Sequence, residues 1–269
     1  MIGAIAGDVI GSVYEFNNIR TTEFPLFNNH SRFTDDTVLT IAVADSLLGN
    51  GDFITCLKRY GRKYPRAGYG GYFYKWLFSD DSEPYNSLGN GSAMRVSPVG
   101  FSFNTLEEVL SMARKSAEIT HNHPEGIKGA EAVAAAIFFA RKGESKASIR
   151  EEIGKRFCYN LDRPLYEIRS SNFFNETCPG SVPEAIISFL ESSSFEDAIR
   201  LAISIGGDSD TIACITGSIA QAFYGSVPTD IVLEIRKRLP DEFLDVIDKF
   251  DEKFSFSYPL KDQSKTRVL

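Results

Sequence analysis

Histidine is scarce, with three in 269 residues, and the four cysteines, Cys56, Cys158, Cys178 and Cys214, are scattered without a C-x-x-C pair. Neither a disulfide framework nor a thiolate metal site is implied, and buried reduced thiols in a cytoplasmic protein are the expectation. His121 and His123 stand two apart before Pro124, which is not the helical i, i+4 spacing of a zinc pair. Lys and Arg form no cluster and the formal net charge is -7, which speaks against nonspecific nucleic-acid binding through phosphate neutralisation. No run reaches the ~18 consecutive apolar residues of a membrane-spanning helix. The apolar start lacks a basic stretch and meets Asp8 at once, which argues against a signal peptide. No repeat, low-complexity run or Pro/Ser-rich linker divides the chain. No convincing series of alternating strands is present either, so the expected fold class is all-α.

What the sequence does have is carboxylates in pairs. Ser204-Ile205-Gly206-Gly207-Asp208-Ser209-Asp210-Thr211 sets two acids and a hydroxyl in a turn between two apolar helical patterns. The Gly pair ends the first helix by accepting the left-handed conformation. The small residues from Thr211 to Ala220 start the second, so the acids lie at a helix N-terminus, where the backbone dipole favours negative charge. Far upstream, Thr34-Asp35-Asp36-Thr37 precedes the apolar run Val38 to Ala44 and repeats that chemistry. Read singly, each cluster is a helix start with Thr34 or Asp208 as N-cap. Yet one cap needs one oxygen, and neighbouring carboxylates repel unless a cation lies between them. Asp35, Asp36, Asp208 and Asp210 with Thr34 and Thr211 form a hard oxygen set suited to Mg²⁺, Mn²⁺ or Ca²⁺. If the clusters share a site, the two ends of the chain pack together. One domain over residues 1–260 with a polar tail at 261–269 is therefore expected.

Along the chain, Gly3, Gly7 and Gly11 recur every four residues and give an N-terminal helix one smooth face. Asp8 and Glu15 would share a side of that helix if it were continuous. An acid in so apolar a segment is either paired or used, and for Asp8 a buried hydrogen bond and a direct role both remain open. Residues 17–31 read as a loop. Further helices are expected from Asp36 onward, over Asp52 to Tyr64, over Asn104 to Ile119 with Asn104 and Glu107 as the cap pair, and over Glu125 to Lys142. Others follow at Ala147 to Lys155, after a capping box at Ser181 to Glu184, at Asp230 to Arg238 and at Asp241 to Lys253. The aromatic stretch Tyr69 to Trp76 reads as core, with base stacking by Tyr69, Tyr72 or Phe73 as the rarer outcome. In Asn86 to Arg95, successive backbone N–H groups around Gly89-Asn90-Gly91 can form an anion-binding concavity, although a plain tight turn fits the same letters.

Five stretches taken in order resemble the ADP-ribosylglycohydrolase family. They are Gly7-Asp8-Val9-Ile10-Gly11 with Glu15, Thr34-Asp35-Asp36-Thr37, Gly89-Asn90-Gly91-Ser92-Ala93-Met94-Arg95, Thr120-His121, and Gly206 to Thr211. The resemblance implies an all-α fold with a dinuclear cleft holding two Mg²⁺ or Mn²⁺ ions. It assigns Thr34, Asp35, Asp36, Asp208, Asp210 and Thr211 as metal ligands and Glu15 as the acid reaching the scissile ribose, with Asp35 also in a catalytic part. It further implies that Gly89, Asn90, Gly91 and Ser92 cradle a diphosphate, that His121 faces substrate, and that Asp8 supports the site from behind. The implied activity is hydrolysis of an ADP-ribosyl bond on a protein side chain or small molecule, releasing ADP-ribose. The linkage stays open between arginine, serine and others. A rival reading is a non-catalytic ADP-ribose-binding or crystallin-like relative, whose expected mark is loss of the metal acids. The run Asp208-Ser209-Asp210-Thr211 also resembles aspartyl-phosphate phosphatases, but there the motif ends a β-strand near the N-terminus.

Overall fold

Helix α1 (Ile2–Gly11) is buried along its whole length, because its glycines let another helix lie directly on its backbone. In the computed structural model, which describes residues 1–171 and 173–254, fifteen helices make up the regular structure. After α1 come α2 (Asp35–Leu48), α3 (Phe53–Lys63), α4 (Gly71–Phe78), α5 (Gly91–Met94) and α6 (Ser97–Ser102). The middle of the chain forms α7 (Leu106–Glu118), α8 (Pro124–Arg141), α9 (Lys146–Phe157) and α10 (Leu165–Ser171). The remainder forms α11 (Cys178–Glu191), α12 (Phe195–Ser204), α13 (Ser209–Tyr224), α14 (Thr229–Arg236) and α15 (Asp241–Lys253). Among the described residues the only β-pairing is an isolated antiparallel bridge between Gly89 and Thr177, so the fold is all-α. No helix there is long and apolar enough to cross a membrane.

The helices pack around one continuous hydrophobic core. Its axis is the pair α1 and α13, from opposite ends of the chain. A Cβ at Gly7 would lie 2.0 Å from the Ala213 carbonyl oxygen, and one at Gly3 would lie 2.4 Å from that of Gly217. Only hydrogen fits at these positions, which is why the four-residue glycine spacing matters. Gln221 on α13 accepts a hydrogen bond from the Gly3 N–H at 2.8 Å, satisfying a donor that the first turn of α1 leaves over. Behind this pair, the alanine-rich α8 runs through the core, with Ala130, Ala132 and Ala134 to Ala136 fully buried. Its small side chains let α5, α6, α7, α11 and α13 all approach it.

Several local expectations are corrected. Helix α1 ends at Gly11, so Glu15 follows it in a turn rather than sharing its face. The cap pair of α7 is Thr105 with Glu108, one residue later than expected, with both reciprocal bonds formed. No capping box forms at Ser181, because Thr177 caps α11 and the helix is under way before Pro183. The Ser181 hydroxyl instead donates to the Asn175 carbonyl. Helices α4, α5, α6 and α10 lacked a readable pattern, being short and held by tertiary packing. All four cysteines are free, but only Cys178 and Cys214 are buried, and Cys158 is exposed. The expected domain boundary and the tail at 261–269 lie outside the described residues.

Candidate active site

The site begins where α1 meets the starts of α2 and α13. Asp8, fully buried on α1, accepts from the Thr34 N–H at 2.9 Å, the Thr34 hydroxyl at 2.7 Å, the Thr37 N–H at 3.1 Å and the Thr37 hydroxyl. Four donors on one carboxylate bind the N-terminus of α2 to α1 and fix where the next two acids point. Thr34 is the N-cap of α2, accepting from the Asp36 N–H while its own hydrogen goes to Asp8.

Asp35 is partly exposed and reaches into a cleft of about 220 Å³ whose lining also includes Glu15, Asp36, Asp208, Asp210 and Thr211. Asp36 is buried; its Oδ2 accepts from the Thr211 hydroxyl at 3.1 Å, while its Oδ1 has no partner among the described residues. Across the cleft, Gly206 and Gly207 have φ of 69° and 81°, the left-handed turn that separates α12 from α13. Asp208 follows at the N-cap position of α13 but makes no cap bond. Its Oδ2 accepts instead from Asn90 Nδ2 at 2.7 Å, and the same amide reaches Ser181 Oγ at 2.9 Å. Asp210 Oδ1 takes the Thr211 N–H at 3.0 Å.

Carboxylate oxygens of Asp8, Asp36 and Asp210 lie within 4.8 Å of one another, and so do those of Glu15, Asp208 and Asp210. Asp210 belongs to both groups. Burial pushes the carboxyls of Asp35, Asp36 and Asp210 well above the usual range, and the negative charge of their neighbours adds to it. The same desolvation raises Asp208 to about 6 and Glu15 to about 8. A stack of acids this costly to ionise, all oxygen and with one buried acceptor left over, fits hard divalent cations. The expected metal residues are thus together, although Thr34 sits behind the cleft wall rather than on it.

The substrate-side residues divide. Gly89, Asn90, Gly91 and His121 line the cleft, whereas Ser92 is fully buried and its hydroxyl donates to the Gly126 carbonyl at 2.7 Å. Two N–H groups of the loop already have protein partners: Asn90 N–H donates to the Glu176 carbonyl at 2.7 Å and Gly89 N–H to Ser87 Oγ at 3.0 Å. Buried His121 brings Nδ1 to 2.7 Å from Thr120 Oγ1, and burial, then the Arg95 charge, pushes its pKa well down. Of the aromatic stretch, Trp76 is core, Phe73 is buried but lines the cleft, Tyr69 is off the cleft, and Tyr72 is exposed at its rim. Tyr72 stacks with Tyr85 at 6.2 Å between ring centroids. Tyr85 and Glu176 also line the cleft and were not singled out by sequence reasoning. Their only signal was nearness in sequence to Asn90 and to Cys178, whose N–H donates to the Leu88 carbonyl at 2.9 Å.

Known proteins give this geometry a context. ADP-ribosylhydrolase ARH3 of Gallus gallus is 28% identical, the match covering 84% of this chain and 84% of that protein. The protein of that name from Homo sapiens is 27% identical, with 84% of each covered. ADP-ribosylarginine hydrolase Tri1 of Pseudomonas putida (strain GB-1) is 24% identical over 96% of this chain and 80% of its own length. A solved structure titled ADP-ribosylglycohydrolase-related protein complex superposes with a TM-score of 0.70 at 23% identity, covering 94% of this chain and 95% of that one, a likeness of fold. The ADP-ribosylglycohydrolase family model matches residues 1–259. With that match spanning nearly its whole length, the chain belongs to the ADP-ribosylglycohydrolase family.

Proposed function

We propose that the protein hydrolyses the glycosidic bond between ADP-ribose and a modified acceptor, either a protein side chain or a small molecule, releasing ADP-ribose. One observation carries the reading. Oxygen donors from the first 36 residues and from residues 208–211 meet on one cleft floor, where Asp36 Oδ1 has no hydrogen-bond partner among the described residues. In this reading Asp35, Asp36, Asp208, Asp210 and Thr211 would hold two Mg²⁺ or Mn²⁺ ions, and Thr34, expected as a further ligand, instead anchors the start of α2 to Asp8 behind them. Bound there, the ions supply positive charge that orients ribose hydroxyls and lowers the pKa of a water.

The chain's own groups do the rest. Breaking a ribosyl bond develops positive charge on the sugar, which the surrounding carboxylates stabilise, and the leaving group needs a proton. Glu15 lines the cleft with a carboxylate oxygen within 4.8 Å of those of Asp208 and Asp210, and is placed to give that proton. Gly89, Asn90 and Gly91 let the ligand backbone approach without side-chain obstruction, and Asn90 also steadies Asp208. Asp8, whose carboxylate is fully engaged with α2, supports the site without touching substrate.

The test is release of ADP-ribose from arginine-linked, serine-linked and small-molecule substrates by the purified protein, with Mg²⁺ or Mn²⁺ and with chelator. Turnover that needs a divalent ion and disappears in Asp208→Ala and in Asp35→Ala is the expected result. A chelated double variant that still turns over refutes it. Tight ADP-ribose binding in calorimetry, with no release from any linkage, identifies a binding module instead.

A further inference from the structure

Arg95 is fully buried although a free guanidinium prefers water. Its Nη2 donates to the Ser116 carbonyl at 2.8 Å and to Thr120 Oγ1 at 2.9 Å, both at the C-terminal end of α7. Its Nε and Nη1 have no partner among the described residues, and no carboxylate is bonded to it there. For a purely structural role the arrangement is wasteful, because two of its donor groups have no hydrogen bond there and the guanidinium's remaining contact is the Phe73 ring, 5.9 Å from its Cζ to the centroid. It lies against the cleft next to Tyr85 and His121.

A chain of hydrogen bonds runs from Arg95 through Thr120 to His121. A guanidinium only donates, so Thr120 Oγ1 must accept from it. The Thr120 hydroxyl is fully buried, and its second contact is His121 Nδ1 at 2.7 Å. If Nδ1 carried the proton, Thr120 would accept twice and its own hydrogen would be left buried without an acceptor. With Nδ1 as acceptor the Thr120 hydroxyl both accepts from Arg95 and donates to His121, and the imidazole proton must then be on Nε2. Nε2 sits over the glycine loop: a Cβ at Gly91 would lie 3.1 Å from it and one at Gly89 3.5 Å. The loop is bare where the ring edge reaches the cleft.

We propose that Arg95 and Thr120 are positioning residues that lock His121 in the neutral tautomer protonated at Nε2, making it a fixed hydrogen-bond donor to an acceptor oxygen of the ligand above the Gly89–Gly91 loop. Burial and the Arg95 charge, which disfavour the imidazolium, are consistent with this. The ligand class rests on the reading of the site as an ADP-ribose site, where phosphate and hydroxyl oxygens are the acceptors. The opposite tautomer would face those oxygens with a lone pair.

The chain has three histidines, so long-range ¹H–¹⁵N correlation of ¹⁵N-histidine-labelled full-length protein can resolve His121, assigned by comparison with His121→Gln. A neutral Nε2–H pattern in the metal-free protein is expected; an Nδ1–H pattern overturns the proposal. Thr120→Val, which keeps volume but removes the hydroxyl, should let Nδ1–H appear and weaken ADP-ribose binding roughly tenfold, or ~1.4 kcal/mol. Thr120→Ser should restore both. Unchanged tautomer and affinity in a folded Thr120→Val variant also overturn it. Should that variant fail to fold, the wild-type spectrum decides alone. Because the tautomer is read without turnover, a protein that cleaves no linkage but shows Nε2–H loses the proposed function and keeps the relay.

Discussion

Helices α2 and α13 start on nearly the same letters, Thr34-Asp35-Asp36-Thr37 and Asp208-Ser209-Asp210-Thr211, yet their cap residues are used differently. Thr34 caps its helix and gives its hydrogen to Asp8. Asp208 stands in the cap position, makes no cap bond, and is held by Asn90 from another part of the chain. The first start is stabilised locally and by α1. The second gives up local stability to keep a carboxylate at the cleft. An acid at a helix N-terminus is therefore not a cap until its partner is known.

The largest expected effect tests the side that the two starts share. Asp35→Ala and Asp208→Ala should each lower ADP-ribose release by at least ~10²–10³-fold, as loss of a preorganised electrostatic group does. Retention of turnover in either would remove that helix start from the site. Next comes the contact that brings the starts together. Gly7→Ala places a methyl 2.0 Å from the Ala213 carbonyl oxygen, so urea unfolding should show a loss of ~1–3 kcal/mol. Activity should fall with it, since α1 carries Asp8 and α13 carries Asp210.

The difference between the caps predicts opposite signs in metal-free protein. Thr34→Ala should cost ~1–2 kcal/mol, the usual price of a lost N-cap, because Asp8 also loses a donor. Asp208→Asn removes a charge from a crowd of acids without removing a cap bond, so its thermal midpoint should stay level or rise. Equal losses in both would erase the distinction.

The smallest effect is in pH. Asp208 and Glu15 have folded-state pKa values raised to about 6 and about 8 from ordinary values of 3.8 and 4.5. The folded protein therefore holds these protons more tightly than the unfolded chain. Their stabilising contribution is complete below the unfolded values and is lost as pH rises through about 6 to about 8. The melting temperature of chelated protein should fall between roughly pH 5 and pH 8, and added Mg²⁺ or Mn²⁺ should raise it more at the alkaline end. A metal effect independent of pH would mean that the ions bind elsewhere.

Much of this architecture was legible because it depends on local spacing. The glycines of α1, the Gly206-Gly207 break before α13 and the alanines of α8 each gave the element that the structure contains. The failures came where distant partners decide. Ser181 had the letters of a cap, but its hydroxyl was needed by Asn90 and Asn175 while Thr177 started the helix. Ser92 shares a motif with Gly91, yet the helical turn carries its side chain away from the cleft to Gly126. Tyr85 and Glu176 stand in irregular segments, where no periodicity says which way a side chain faces.

The order of residues by itself determined that this chain is helical, where the helices α2 and α13 begin, and that hard oxygen donors gather at those beginnings. Helix propensity, glycine breaks and capping chemistry act over a few residues and can be read along a line. Only the tertiary structure decided which oxygens face the cleft. It assigned Asp8 to hold a helix, left one oxygen of Asp36 without a partner among the described residues and gave Asp208 to Asn90. Those outcomes depend on close packing of α1 against α13 across some 200 residues, and the direction of a hydrogen bond between remote groups is not written in the spacing of either.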